Sequence, residues 1–168
     1  LRAVQVIKGE INALHSLIVG LDETFHEAIK LLESRDKGSR VLVSGVGKSG
    51  HVAHKIAASL SSLGTPALFL HATEALHGDL GIAREGDVAL LLSYSGETAE
   101  LLSVNKALGQ MGVKTIAITK CLDNSLARGC DLSISIGTHE EVDANRSWTL
   151  NSYPQSLFSK SQNPSPRP

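Results

Sequence analysis

The chain has 168 residues (17.8 kDa), 42% of them hydrophobic, enough for one globular domain with a full core. A net charge of -1 and a pI near 6.7 give no reason to expect nucleic acid or an anionic membrane as partner. Two cysteines, Cys121 and Cys130, exclude a disulfide scaffold and lack metal-binding spacing, and no apolar run approaches the roughly twenty residues that span a bilayer, so the expected setting is the reducing cytoplasm.

Residues 1–34 place apolar side chains three and four apart, from Val4, Ile7, Ile11 and Leu14 to Phe25, Ile29 and Leu32. This is the pattern of an amphipathic helical arm, with a break near Gly20 where Asp22 can cap a second helix. Charge is mixed into the apolar N-terminus, which argues against a signal peptide. From Val41 onward, strands expected at 41–44, 67–70, 88–93, 113–119 and 132–136 alternate with helices at 52–63, 74–77 and 98–111. The strands are continuous apolar runs, as in a parallel sheet covered on both faces. The predicted fold class is α/β: a three-layer αβα sandwich on a five-stranded parallel sheet, with the helical N-terminal arm. The domain proper is expected at 35–144. The tail 145–168, rich in Ser, Asn and Gln with Pro154, Pro164, Pro166 and Pro168, reads as disordered and leaves one sheet face short of a covering helix.

The stretch RVLVSGVGKSGHVAH organises the chain: a buried strand, a glycine turn (Gly45, Gly47, Gly50) and helix-forming sequence. Glycines let backbone approach a ligand, and a helix N-terminus offers N–H groups to an anion. Lys48 and Ser49 add a cation and a hydroxyl. GVGKSG also fits the dinucleotide fingerprint, but the next strand runs into His71 and Ala72 where the ribose-binding acid is wanted. A Walker A loop is excluded because its first glycine falls on Leu42. The third reading, a sugar-phosphate site, needs a second hydroxyl-rich loop; the plain alternative is a structural βα turn with an incidental lysine.

SYSGET supplies that loop. Ser93, Ser95 and Thr98 sit at a strand's carboxyl end before a helix, with Gly96 allowing a sharp turn. The plain alternative is that Ser95 and Thr98 only cap the helix. His71 and His77, with Glu74 and Asp79, form the best acid–base cluster, although a histidine there can also simply bond to a carbonyl or to Asp79. Their spacing matches no standard zinc pattern, so no metal is expected. Glu97 suits a first-turn helix charge, whereas position singles out Glu100 and Glu141 as candidate bases.

Four motifs in order, GVGKSGHVAHKIAASLSSLGTP, EALHGDLG, LLSYSGETAELL and ITKCLDNSLARGCD, resemble the sugar isomerase (SIS) domain over about residues 1–141. More narrowly they resemble its arabinose 5-phosphate isomerase branch. The resemblance implies the SIS fold and interconversion of D-ribulose 5-phosphate and D-arabinose 5-phosphate through a cis-enediol, without a cofactor. It implies a homodimer or homotetramer, with sites at subunit interfaces. Residue by residue, it gives Lys48 the enediolate or the phosphate-side charge, and Ser49, Ser93, Ser95 and Thr98 the phosphate beside the Gly47 turn. Glu100 or Glu141 becomes the base, and His77 a proton shuttle or ring-opening aid. After Glu141 the chain departs from the family: VDANRSWTLNSYPQ has no Cys-Pro element, long helix or His-Pro-Gly-Gly histidine, as in a truncated or altered end. A non-catalytic sugar-phosphate-binding module is therefore the alternative expectation, and a nicotinamide-binding module the third.

Overall fold

The computed structural model describes residues 2–36 and 38–137. Ala13–Thr138 form one compact unit that holds the whole sheet, and Leu1–Asn12 fall outside it. Helices α1 (Arg2–Gly20) and α2 (Glu23–Glu33) are parted at Leu21 and Asp22. Asp22 has extended backbone, and its carboxylate accepts the Thr24 N–H at 2.9 Å and the Phe25 N–H at 3.3 Å. Those are donors that a helix start otherwise leaves unpaired, which is why the break falls there. No helix among the described residues is long and apolar enough to cross a membrane.

Strands β1 (Val41–Gly45), β2 (Ala67–His71), β3 (Val88–Leu92), β4 (Lys114–Thr119) and β5 (Leu132–Ser135) form one parallel sheet in the order β2-β1-β3-β4-β5. Successive side chains point to opposite faces. Val41, Val43, Leu90 and Ile116 pack with Ala28 of α2 and with Ala53 and Ala57 of α3 (Lys48–Ser62). Leu42, Ala89, Leu91 and Ala117 pack on the other face with α4 (Ala72–Leu76), α5 (Ala99–Gln110) and α6 (Ser125–Gly129). The three layers of the expected sandwich are thus present. At the β5 edge Leu132 and Ile134 are partly buried, and at the β2 edge Leu68 is exposed.

Two carboxylates pin the amino ends of the strands. Asp87, buried, accepts from the backbone N–H groups of Arg40 (2.8 Å) and Arg84 (3.0 Å) and pairs with the Arg40 guanidinium at 3.2 Å. Asp131 does the same for β4, accepting from Thr115 N–H (2.8 Å) and Lys114 Nζ (2.7 Å). Burial works to raise the Asp131 pKa, but the bonds from Lys114 and Thr115 outweigh it and hold the carboxyl below its ordinary value.

Several elements differ from expectation. Helix α3 begins at Lys48, four residues early, because Gly50 serves packing there and does not break the helix. The expected 74–77 helix lies at Ala72–Leu76, so His77 is its C-cap. A 3₁₀ turn at Asp79–Ile82 and helix α6 go beyond the expected elements, each being too short to show an apolar period. Glu141 and the tail 145–168 lie outside the described residues.

Candidate functional site

In the order β2-β1-β3-β4-β5 the chain leaves β1 in one direction and then crosses to β3 and onward in the other. The switch point therefore lies between β1 and β3, and ligands of open parallel sheets gather outside the carboxyl ends at such a point. Gly45, the last residue of β1, is in register with His71 of β2 and Leu92 of β3. The glycine turn, the His71 segment and the serine loop consequently leave three neighbouring strands at one edge.

The glycine turn is made by backbone packing on backbone. A Cβ on Gly45 would lie 2.8 Å from the Ser49 carbonyl carbon and oxygen, and one on Gly50 would lie 3.0 Å from the Gly45 oxygen. Only glycine at both places lets the start of α3 close against the end of β1. Gly47 has φ +59° and, as the N-cap, brings no side chain to the helix start. Lys48 is exposed and makes no hydrogen bond or ion pair with another described residue. Ser49 is half-buried in the same first turn. A lysine and a hydroxyl beside an uncapped helix start suit an anion.

The serine loop is made by side chains. The Ser93 and Thr98 hydroxyls share a hydrogen bond of 2.8 Å, and Gly96 N–H donates to Ser93 Oγ at 3.0 Å. Ser95 Oγ accepts the Glu97 N–H at 3.2 Å. Thr98 is the N-cap of α5, yet its side chain bonds across the loop and not to the helix start. Mere capping therefore does not account for these hydroxyls. A second loop, between β4 and α6, clamps the first. Leu126 N–H donates to Gly96 O (2.9 Å), Lys120 N–H to Tyr94 O (3.1 Å) and Ser125 N–H to the Glu97 carboxylate (2.8 Å). The Ser125 backbone bond, chiefly, holds the Glu97 carboxyl below its ordinary pKa. Glu97 thus serves α6, not the first turn of its own helix α5.

A family model for the SIS domain matches residues 35–160. The chain belongs to the SIS domain family. This SIS domain is 40% identical over 140 residues to an arabinose 5-phosphate isomerase of Pseudomonas aeruginosa, covering 83% of this chain and 42% of that protein. It is 39% identical over 141 residues to one from Escherichia coli O6:H1, covering 84% of this chain and 43% of that protein. It therefore spans less than half the length of these curated relatives. Among solved structures, a protein of E. coli CFT073 in complex with a sugar phosphate superposes with a TM-score of 0.79 at 42% identity, covering 84% of this chain and 74% of that one.

His71 starts and His77 ends α4, both exposed. His71 meets the Phe69 ring edge-on at 6.1 Å, and neither histidine side chain makes a hydrogen bond among the described residues. The carbonyl or Asp79 bond open to them is therefore not formed. Glu100 lies half-buried in the first turn of α5. The described hydrogen bonds join Ser93 to Thr98 and leave Lys48, Ser49, His77 and Glu100 unconnected to one another. No group of three or more His, Cys, Asp or Glu residues able to hold a metal occurs among the described residues.

Two residues at this edge escape sequence reasoning. Asn124 is buried under Gly96; its amide N–H₂ donates to Thr119 Oγ1 (3.2 Å) and Cys121 O (2.6 Å), and its Oδ1 accepts the Ala127 N–H (2.8 Å). An Asn-Ser pair ahead of a short helix is its only signal. Ser44 is 1% exposed near the end of apolar β1, and its Oγ has no hydrogen-bond partner among the described residues. A hydroxyl interrupting a wholly apolar strand next to the glycine turn is the available sign.

Proposed function

We propose that this SIS domain binds a pentose 5-phosphate at the β1/β3 edge and belongs to an aldose–ketose isomerase that interconverts D-arabinose 5-phosphate and D-ribulose 5-phosphate. One observation carries the reading. Two loops suited to a phosphate leave adjacent strands at the switch point, in a chain 40% identical to a protein named arabinose 5-phosphate isomerase. The neighbour in complex with a sugar phosphate supports the same ligand class. Ser49, Ser93, Ser95 and Thr98, with the backbone at Gly47, take the phosphate. Lys48, charged and without a partner among the described residues, stabilises the enediolate oxygen or the phosphate-side charge.

The reaction moves one proton. A carboxylate, Glu100 or Glu141, removes a proton from C1 of the ketose or C2 of the aldose. The electron pair forms the C1–C2 double bond of a cis-enediol, and the proton returns to the other carbon. His77 carries protons to and from the sugar oxygens during ring opening and enolisation. Fixing the phosphate holds C1 and C2 against the base, so positioning supplies much of the rate. No electrons are lost or gained overall, so no redox cofactor is called for. The two free cysteines, Cys121 and Cys130, fit a reducing cytoplasm.

Activity on D-ribulose 5-phosphate, measured for the wild type and Lys48→Ala, tests this directly. Turnover that falls by about 10²–10³-fold in the variant is expected, the size of losing one charge-stabilising group. No turnover, with D-ribulose 5-phosphate still raising the melting temperature, would replace the reading with a sugar-phosphate-binding module. Absence of both would overturn it.

A further inference from the structure

The loop that clamps the serine loop carries a lysine that no step of the proposed reaction uses. The β3–β4 pairing runs on past the strand ends: Ser93 N–H donates to Ile118 O (3.1 Å) and Lys120 N–H to Tyr94 O (3.1 Å). Lys120 therefore stands beside Tyr94, and Tyr94 lies between Ser93 and Ser95, two of the hydroxyls assigned to the phosphate. The Lys120 ammonium rests over the Tyr94 ring, 5.6 Å from its centroid. A ring steadies a cation through its quadrupole but carries no charge to neutralise it. The acids of the two loops are engaged elsewhere: Glu97 accepts from Ser125 N–H (2.8 Å), and Asp123 pairs with Arg128 (2.7 Å). Lys120 makes no ion pair among the described residues, and Tyr94 is 50% exposed, so solvent reaches the pair.

We propose that Lys120 is a second cation of the site and holds the phosphate of the bound sugar phosphate, leaving Lys48 to the enediolate. The inference rests on the isomerase reading and resolves what that reading leaves open, namely which end of the sugar Lys48 serves. A pentose 5-phosphate carries its phosphate on C5, whereas the enediolate forms at C1 and C2. The two negative charges thus stand at opposite ends of the carbon chain, and in an extended chain one ammonium cannot lie against both. The strands that precede the two lysines, β1 and β4, are two strand spacings apart, about 10 Å, with β3 and its serine loop between them. Lys120 is tied by its own backbone to the serine loop, while Lys48 opens α3 across the switch point. Donors are also what the serine loop lacks. Ser93 and Thr98 bond to each other, so one of their two hydroxyl protons is already engaged. An ammonium brings three donors and a full charge to that place.

Steady-state kinetics with D-ribulose 5-phosphate, and calorimetric titration with inorganic phosphate, test the assignment on the full chain carrying Lys120→Gln, Lys120→Arg or Tyr94→Leu. In Lys120→Gln, KM and the Kd for inorganic phosphate should both rise about tenfold, the size of one charged hydrogen bond, while kcat stays within about twofold. Lys120→Arg keeps the charge and should recover most of that loss. Tyr94→Leu removes the ring under the ammonium and should raise both constants by about two- to fivefold. Unchanged KM and phosphate affinity in a folded Lys120→Gln chain would overturn the proposal. So would a kcat that falls while KM holds, since Lys120 would then act at the reacting carbons. If Lys120→Gln does not fold, Tyr94→Leu decides, and constants equal to those of the wild type overturn the proposal. A wild type that binds phosphate without turnover leaves the decision to phosphate affinity. A wild type that neither turns over nor binds phosphate sinks the isomerase reading and this assignment together, whereas a working wild type indifferent to Lys120 sinks this assignment alone.

Discussion

The two loops at the β1/β3 edge are closed by opposite means. The glycine turn closes because atoms are missing: Gly45 and Gly50 let backbone touch backbone, and no side chain caps the helix start that follows. The serine loop closes because atoms are present: Ser93, Thr98, Glu97 and Asn124 hold it through hydrogen bonds, two of them buried. The first loop leaves Lys48 unengaged and available to a ligand, whereas the second spends its hydroxyls partly on itself. The difference implies that the first loop is broken by adding a methyl group and the second mainly by removing a polar atom.

The largest effect is expected at Gly45. A methyl group there meets the Ser49 backbone at 2.8 Å, so α3 must move, and Gly45→Ala should cost roughly 3 kcal/mol or more in urea unfolding. A smaller cost would show that the close approach of α3 and β1 relaxes easily. Gly96→Ala comes next at about 2–3 kcal/mol, from φ +69° and a Cβ that would overlap the Asn124 side-chain amide. Here the obstacle is a side chain. Asn124→Ala removes it, so the double variant should lose about 1–2 kcal/mol less than the sum of the two single losses. Strict additivity would mean that Asn124 does not set the position of Gly96.

How far the sequence discloses this edge follows the same division. The parallel sheet is legible because β1, β2 and β3 are largely apolar runs bounded by turn residues, and the glycine turn because its constraint is local: a glycine declares its need for space. The serine loop is legible as hydroxyls but not as a clamped structure. Its clamp comes from residues 119–127, some thirty residues later and brought near only when β4 pairs with β3. Glu97 reads as serving α5 for that reason, because its partner Ser125 is invisible at short range. Gly50 misleads in the other direction, since a glycine inside a helix looks like a boundary until the strand it packs against is known. Ser44 stays hidden because an apolar run conceals a single hydroxyl.

Smaller effects sharpen the contrast. Ser93→Ala deletes an acceptor for Gly96 N–H and a partner for Thr98 while adding nothing, and should cost about 1–2 kcal/mol in urea unfolding. Gly47→Ala adds a methyl group with nothing within 4 Å, so only its backbone, at φ +59° and ψ -127°, is penalised, by about 1–3 kcal/mol. If Gly47→Ala proved as damaging as Gly45→Ala, the glycine turn would be limited by torsion and not by packing.

The smallest expected effect concerns charge in the clamp. The Glu97 carboxyl is held below its ordinary value of 4.5 mainly by the Ser125 backbone bond. A group with a lowered folded pKa stabilises the fold above its unfolded pKa and loses that contribution as pH falls through the folded value. Glu97→Gln keeps an oxygen for the Ser125 N–H but cannot titrate. Near pH 6 the wild type should therefore melt slightly above the variant, and by about pH 3 the gap should have narrowed or closed. The side chain is fully exposed, so the gap should also shrink in high salt. A gap that stays constant with pH would assign Glu97 a packing role, and the clamp would then rest on Asn124 and the backbone bonds of Gly96 and Tyr94.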